Sequence, residues 1–248
     1  MESIVFLIIR RLEKTMFWNE DRIKWYLVAS EYTKYHDNMK LEIKKIIPEG
    51  ESLVDFGCGL GILPMKLSDY FSDIIGVDYD EHVLGILEDS ISKKNIKNFK
   101  TICSNCYNGE LIEKIGKPDN ILFSHFGNIQ DYFYNFYNSF NKRMIIIRND
   151  VEKNIVHNHN KNTIQDICNF LEERKISYKI YRQTYEFGQP LKDEEEVLKY
   201  LDKWYGEDGI NLISNVKDID YTYNGEVFTK YYCKPKNTAI VVVNKEDI

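Results

Sequence analysis

The chain is poor in alanine, poor in proline and without long apolar runs. Its 248 residues include only two alanines, Ala29 and Ala239, and five prolines. The apolar run at residues 4–9 is far shorter than the roughly 20 residues that cross a bilayer. It also lacks a preceding basic segment and a small-residue cleavage site, which argues against a signal peptide. We expect no membrane segment and interpret this run as a packed element or an oligomer contact, so a homodimer remains open.

Cysteines and potential metal ligands are also few. Five cysteines, an odd number, are typical of free thiols in a reducing compartment, and we expect a cytoplasmic protein. Cys103 and Cys106 form a CxxC pair, but no second pair or Cys–His cluster supplies the roughly four ligands of a zinc site. His157 and His159 stand in a polar, asparagine-rich stretch that favours solvated surface. We therefore expect no metal site.

The chain also has fewer positive than negative charges. The chain has 33 Lys and Arg against 39 Asp and Glu, a formal net charge of −6. General electrostatic attraction to nucleic acid is therefore not expected, although a local basic patch remains open. A chain of this length, 43% hydrophobic, suffices for one ordinary globular domain with an added segment.

The most informative stretch is glycine-rich and lies at residues 53–61. Leu53, Val54 and Phe56 have the character of a buried strand, and residues 62–71 follow with helical spacing. Between them stand three glycines at alternate positions. Glycine permits positive φ and close approach of a ligand, so a strand–glycine–helix turn presents bare N–H groups. The alternative is a glycine-rich turn that binds nothing.

An acid two residues before the first glycine makes the pattern more specific. The segment Asp55-Phe56-Gly57-Cys58-Gly59-Leu60-Gly61 resembles motif I of the class I methyltransferases that depend on S-adenosylmethionine (SAM). In that family the loop packs against the methionine part of SAM, and the acid handles its amino group directly or through water. The resemblance implies SAM as cofactor. The implied contacts are Asp55, Gly57, Cys58, Gly59 and Gly61.

A second acid supports the resemblance. Residues 74–77 have the pattern of a strand, and Asp78 ends it about 20 residues after the loop, where a carboxylate can accept both ribose hydroxyls of a nucleoside. The family has an acid at this place, and Tyr79 can then lie against the adenine. The alternative is that Asp78 caps the helix at residues 81–92, a role that suits Asp80 better.

The third cofactor match is the least close. The family carries an acid after the third strand, which we place at residues 100–103, near the adenine amino group. This chain has Asn105 there, whose carbonyl accepts a hydrogen bond as an aspartate would, but without charge. A dinucleotide-dependent oxidoreductase is disfavoured, because its fingerprint is GxGxxG.

The fourth strand, at residues 119–123, ends in Ser124-His125-Phe126-Gly127. Ligands of open parallel sheets bind beyond the carboxyl ends of strands, and in the resembled family this end lies beside the transferable methyl. The Asn/Asp-Pro-Pro-Tyr/Phe motif of amino-methyltransferases and the acids of spermidine-synthase relatives are both missing. His125 is the candidate general base, or else a histidine turned into packing. Ser124 is a candidate cofactor contact and Phe126 a candidate substrate contact.

Segments outside the sheet are candidates for covering the site. Residues 18–47 have a helical pattern with a break near 32–37, which makes Tyr35 and His36 candidate lid residues, or a partly exposed helix surface. A late excursion contains Gln189, a helix at 193–205 with Trp204, and a hairpin around Asn224–Gly225. We assign Tyr35, His36, Phe126, Gln189 and Trp204 to the substrate or lid.

The alternation of strand and helix patterns predicts an α/β protein. The resemblance implies a Rossmann-like, seven-stranded, mostly parallel sheet with an antiparallel last strand. The predicted parts are an N-terminal helical cap (1–49), a SAM-binding core (50–187), a lid excursion before the last strand (188–236) and the final strand (237–248).

The predicted function is SAM-dependent methyl transfer to a small-molecule acceptor. Net negative charge and an aromatic excursion favour a small, mostly apolar substrate over a polyanion. The alternatives are an RNA or protein methyltransferase, or a non-catalytic SAM-binding protein. The chain also resembles an uncharacterised bacterial group of this family, which implies no particular acceptor.

Overall fold

The computed structural model describes residues 18–150 and 162–248. The apolar run at 4–9 and the pair His157 and His159 lie outside the described residues, so the interpretations given to them stay predictions. The helices are α1 Glu20–Thr33, α2 Tyr35–Ile46, α3 Ile62–Lys66, α4 Glu81–Lys93, α5 Gly109–Ile115, α6 Ile129–Phe136, α7 Ile164–Glu173 and α8 Glu194–Tyr205. The strands are β1 Ser52–Phe56, β2 Asp73–Asp78, β3 Phe99–Cys103, β4 Asn120–Ser124, β5 Arg143–Asn149, β6 Lys179–Glu186, β7 Gln189–Leu191, β8 Val216–Tyr223, β9 Glu226–Tyr232 and β10 Pro235–Asn244.

The chain forms two compact units. The larger comprises residues 36–185 and 236–248, and the smaller comprises 186–235 with the described part of residues 1–35. The break predicted near residues 32–37 is confirmed, because Lys34 has a φ of 56° between α1 and α2. The domain boundaries that the sequence suggests stay predictions.

The larger unit is built on a seven-stranded sheet. Its order is β3-β2-β1-β4-β5-β10-β6. Strands β1 to β5 pair in parallel, and β10 pairs antiparallel with β5, Ile240 lying opposite Ile147. This confirms the predicted fold class and its antiparallel last strand. The strand order reverses at β1 and β4, which is where such sheets bind ligands.

Sequence features explain why these elements form. The central strands β1 and β4 are almost wholly buried and mostly apolar, as is typical of strands covered on both faces. Helix α4 begins where Asp80 accepts hydrogen bonds from the backbone N–H groups of His82 and Val83. Helix α7 begins with a capping box between Thr163 and Asp166. The predicted cap Asp80 is confirmed.

The smaller unit contains a second sheet, of order β7-β9-β8. The predicted hairpin is confirmed: Asn224 and Gly225 have φ of 50° and 80°, as a turn with two positive φ angles requires. Strand β7 was not predicted, because it is short and contains Pro190. Pro190 is tolerated because β7 is an edge strand. The buried core of this unit includes a cluster of Trp25, Leu191, Val197, Leu201 and Tyr232.

Within residues 18–150 and 162–248, no helix is long and apolar enough to cross a membrane.

Candidate cofactor site

The glycine loop turns sharply after β1. Gly57, Gly59 and Gly61 have φ of 75°, 52° and 58°, values that side-chain-bearing residues rarely adopt. The N–H groups of Gly57 and Cys58 both donate to the carbonyl oxygen of Val77, at 2.7 and 3.0 Å. The loop is therefore tied to the end of the neighbouring strand β2.

Two of the glycines make room for other parts of the protein. A methyl group built on Gly57 would lie 2.3 Å from the ring of Phe126, and one built on Gly61 would lie 2.6 Å from the side chain of Leu87 on α4. Gly61 thus permits close packing of the helix. The open face of Gly57 is covered by the Phe126 ring.

The Asp78 carboxylate holds the loop from the other side. Its Oδ2 accepts a hydrogen bond from the N–H of Gly59 at 2.8 Å, and its Oδ1 accepts one from the N–H of Asp80 at 3.0 Å. Asp78 is 7% exposed. Because a carboxylate has about four lone-pair sites, it keeps acceptor capacity for a ligand. The cap of α4 is Asp80, so Asp78 is not needed for that role.

Asp55 is the other acid of the site and is more deeply buried. It is 2% exposed, and its Oδ1 has no hydrogen-bond partner among the described residues. Burial, and secondly the charge of Asp78, raise the pKa of Asp55 to about 8. The carboxyl is therefore protonated at neutral pH, and one buried oxygen lacks a donor.

The thiols near the loop are not activated. Burial, followed by the charges of Asp55 and Asp78, raises the pKa of the Cys58 thiol well above its ordinary value. Burial likewise raises the pKa of Cys106 to about 12. Protonated thiols are poor nucleophiles and poor metal ligands. In the described part of the chain, no group of His, Cys, Asp and Glu side chains is placed to hold a metal ion.

The residues expected to face the adenine follow β2 and β3, which pair side by side. The Tyr79 side chain is 74% exposed. The Oδ1 of Asn105 accepts a hydrogen bond from the N–H of Tyr107 at 3.0 Å, which shapes the turn after β3. Their contacts with adenine stay predictions.

The end of β4 is a strained turn. His125 has a φ of 55°, unusual for a residue with a side chain, and Gly127 a φ of 32°. The His125 N–H donates to the carbonyl oxygen of Ile147 on β5 at 2.9 Å. The Phe126 carbonyl oxygen accepts a hydrogen bond from Nη2 of Arg148. Ser124 is the last residue of β4, and its cofactor contact, like the role of His125 as a base, stays a prediction.

The remaining candidates are divided between the two units. His36 belongs to the larger unit and is buried; burial, then Lys236 and Lys66, lower its pKa to about 3, so it is neutral. In the smaller unit, the Tyr35 ring packs against Phe187. There Gln189 is buried and donates to the Pro190 carbonyl oxygen, and Trp204 is partly exposed beside Arg22. Their roles toward a substrate stay predictions.

Sequence reasoning missed Arg148 and Tyr132. Arg148 directly follows the apolar residues 144–147 of β5 and is buried. A charge placed at the end of a buried apolar strand was the available signal. Tyr132 gave none, since it is one of several aromatics on α6.

Comparison with known proteins identifies the fold. No family model and no curated protein matches the chain. The YcgJ protein of Bacillus subtilis has a similar structure at 14% identity, with a TM-score of 0.55, over 84% of this chain and 98% of that one. A precorrin-6y C5,15-methyltransferase from Geobacter metallireducens gives 10% identity and a TM-score of 0.51, over 85% and 84%.

A magnesium protoporphyrin IX methyltransferase from Synechocystis, whose structure contains S-adenosylhomocysteine, is similar over more of the chain. It shares 13% identity, with a TM-score of 0.51, over 97% of this chain and 94% of that one. At such identities the likeness shows the fold. This chain has the Rossmann-like fold of the class I methyltransferases.

Proposed function

We propose that the chain binds SAM at the carboxyl ends of β1, β2 and β3 and transfers its methyl group to a small-molecule acceptor. The observation that carries this proposal is the arrangement around the glycine loop. Asp55 keeps one buried oxygen without a donor, and Asp78 holds Gly59 while retaining acceptor capacity. The methyltransferase fold of the chain supports the same proposal.

The residues present fit SAM. The unpartnered Oδ1 of Asp55 suits the ammonium group of the methionine part, and Asp78 suits the ribose hydroxyls. The exposed Tyr79 ring suits the adenine, with Asn105 nearby in the neighbouring turn. Bound SAM supplies a methyl group on a sulfonium, which is already a good leaving group.

The protein then has to position the acceptor against the methyl group and to exclude water. The turn after β4, from Ser124 to Gly127, would align the acceptor, and His125 would take a proton from an acceptor that is protonated at working pH. The sequence pattern makes Gln189 and Trp204, which belong to the smaller unit, candidate substrate or lid residues.

Binding is tested first, by calorimetry with SAM and S-adenosylhomocysteine. We expect micromolar affinities, on the order of −8 kcal/mol. No heat of binding at millimolar SAM would reject the proposal. Adenosine alone serves as the matched control, because it lacks the methionine part that Asp55 is proposed to hold and should bind more weakly.

Transfer is tested with methyl-labelled SAM and a cell extract, followed by separation of the labelled products by size. We expect label in small molecules, together with formation of S-adenosylhomocysteine. Label in RNA or protein would favour the macromolecular alternative, which the net charge of −6 makes less favourable. SAM binding without label in any fraction would favour the non-catalytic alternative.

A further inference from the structure

A buried cation without a carboxylate partner lies at the end of β5. Arg148 is 5% exposed, and no ion pair joins it to an acid within residues 18–150 and 162–248. Its Nη2 donates to the Phe126 carbonyl oxygen, whereas its Nε is buried and has no acceptor. A buried charge normally pairs with an opposite charge, because desolvation otherwise costs several kcal/mol. The guanidinium is therefore short of an anion.

A second donor without an acceptor lies beside it. Tyr132 on α6 is 0% exposed, and its hydroxyl has no hydrogen-bond partner in the part of the chain that the structure describes. Phe126 contacts both groups, because its carbonyl oxygen accepts a hydrogen bond from Arg148 and its ring centroid lies 5.8 Å from that of Tyr132. Along β5 the side chain of Arg148 points to the same face as those of Met144 and Ile146, which belong to the core cluster containing Tyr132.

The surroundings of the pair are aromatic. The Tyr132 ring stacks on Phe123 with centroids 4.2 Å apart, and Phe126 lies 5.8 Å from Tyr132 and 5.8 Å from Tyr107. Burial is the first cause of the lowered pKa of Arg148, and Tyr132 is the other group that acts on it. Among the residues that the structure describes, no acid therefore neutralises the guanidinium.

The pair stands next to the turn where the acceptor is expected. Strands β4 and β5 are neighbours, and Ser124 lies opposite Ile147, one residue before Arg148. The strained turn from His125 to Gly127 contacts Arg148, because its Phe126 carbonyl oxygen accepts a hydrogen bond from the guanidinium. That oxygen occupies a position suited to an oxygen atom of a ligand.

We propose that Arg148 and Tyr132 form a subsite for a carboxylate of the methyl acceptor, and that the turn from His125 to Gly127 moves to admit it. This rests on the proposed function. A carboxylate fits better than a phosphate, because one guanidinium and one hydroxyl match a single negative charge and two oxygens. The aromatic rings suit an apolar body. The acceptor is thus a small carboxylic acid with an apolar or aromatic body.

The test uses benzoate as probe and benzamide as its neutral isostere, titrated calorimetrically into the full chain. Benzoate is expected to bind at least tenfold more tightly than benzamide, because charge-assisted hydrogen bonds are the stronger ones. Phenyl phosphate is the third probe. If it binds more tightly than benzoate, the carboxylate assignment is overturned.

Two variants locate the binding. Tyr132→Phe removes a hydroxyl that has no partner, so the fold should be at least as stable, while benzoate affinity falls about tenfold. Arg148→Met should abolish benzoate binding. The control is Arg174→Met, the same change at an arginine packed on the Phe170 ring, which should leave benzoate affinity unchanged.

The inference is overturned if benzamide binds as tightly as benzoate, if Tyr132→Phe folds and binds benzoate like the parent, or if no benzoate binding occurs at millimolar concentrations. Should Arg148→Met fail to fold, the Tyr132→Phe result decides. SAM affinity is measured on the same samples. If the parent chain does not bind SAM, the proposed function is rejected. The benzoate results test the subsite independently of that outcome.

Discussion

At the scale of single residues, the site depends on two acids in unequal surroundings. Asp55 is buried with an unpartnered oxygen, whereas Asp78 accepts hydrogen bonds from two backbone N–H groups. The pKa of Asp55 is raised to about 8, chiefly by burial. A ligand cation near Asp55 would favour its charged form, so cofactor binding is expected to release a proton near neutral pH.

The raised pKa of Asp55 predicts how stability depends on pH. The ordinary pKa of an aspartate is 3.8, so between about pH 4 and pH 8 the folded state binds the proton more tightly than the unfolded state does. This contribution to stability is fully present below pH 4 and is lost as the pH rises toward 8. The side chain introduced by Asp55→Asn does not ionise, so the variant escapes this loss. Its free energy of unfolding, relative to that of the parent, should therefore be higher at pH 8 than at pH 5, by at least about 1 kcal/mol.

Urea unfolding of both proteins at pH 5 and pH 8 measures this difference. Asp89→Asn, the same change at an exposed position of α4, is the control. An Asp55→Asn effect that is equal at the two pH values would contradict the predicted protonation of Asp55.

Asp78 gives a second prediction, on SAM affinity. A carboxylate bonded to two ribose hydroxyls contributes roughly 1.5–3 kcal/mol. Asp78→Ala should weaken SAM binding about ten- to hundredfold, and Asp78→Asn, which keeps one acceptor oxygen for the Gly59 N–H, should weaken it less. Calorimetry measures both.

The neighbouring cap Asp80 separates binding from folding. Asp80→Ala should cost about 1 kcal/mol of stability, because it removes the cap of α4, and it should leave SAM affinity unchanged. If Asp78→Ala instead lowers the melting temperature and leaves SAM affinity as it was, Asp78 has a structural role alone.

At the scale of elements, two helices end in the same way with different residues. After α7, the N–H of Lys175 donates to Glu172 and that of Ile176 donates to Leu171, the pattern of a Schellman motif. The position with positive φ is Lys175 at 57°; after α4 it is Asn95 at 55°. Asparagine tolerates this conformation better than lysine does.

The motif predicts that Lys175→Gly stabilises the protein. Glycine pays no steric cost at positive φ, so we expect a gain of about 0.5–1 kcal/mol in the free energy of unfolding. Lys94→Gly is the matched control, because Lys94 has a φ of −88° at the end of α4 and should gain nothing. Urea unfolding compares the two, and equal effects would contradict the role of backbone strain.

At the scale of the whole molecule, the chain builds two units from segments that alternate along the sequence. The candidate cofactor residues, from Asp55 to Ser124, belong to the larger unit, and Gln189 and Trp204 belong to the smaller. The role of the smaller unit as a lid stays a prediction.

Hydrogen exchange tests whether the cofactor product protects the larger unit alone. S-adenosylhomocysteine at about 100 times its Kd should raise the free energy of any opening that releases the ligand by about 2.7 kcal/mol. We therefore expect protection at residues 57–61 and 78–80, with little change in β8 and β9. Asp78→Ala under the same conditions is the control. Equal protection of β8 and β9 by this ligand alone would show that the smaller unit responds to the cofactor itself.

The sequence by itself determined the first four strands of the sheet and most of the helices. Apolar runs of strand length, glycines at alternate positions after β1 and an acid ending β2 are local features, and local sequence suffices to predict them. The same holds for the caps Asp80 and Thr163 and for the Asn224–Gly225 turn, which depend on neighbours a few residues away.

Only the tertiary structure decided the electrostatics of the site. The proton on Asp55, the Phe126 ring against Gly57 and the Arg148–Tyr132 pair each depend on burial among residues distant in sequence. Strand β7 formed for a similar reason, since Pro190 is tolerated there through its place at a sheet edge. Burial and long-range contact determine these energies, and no local pattern in the chain encodes either.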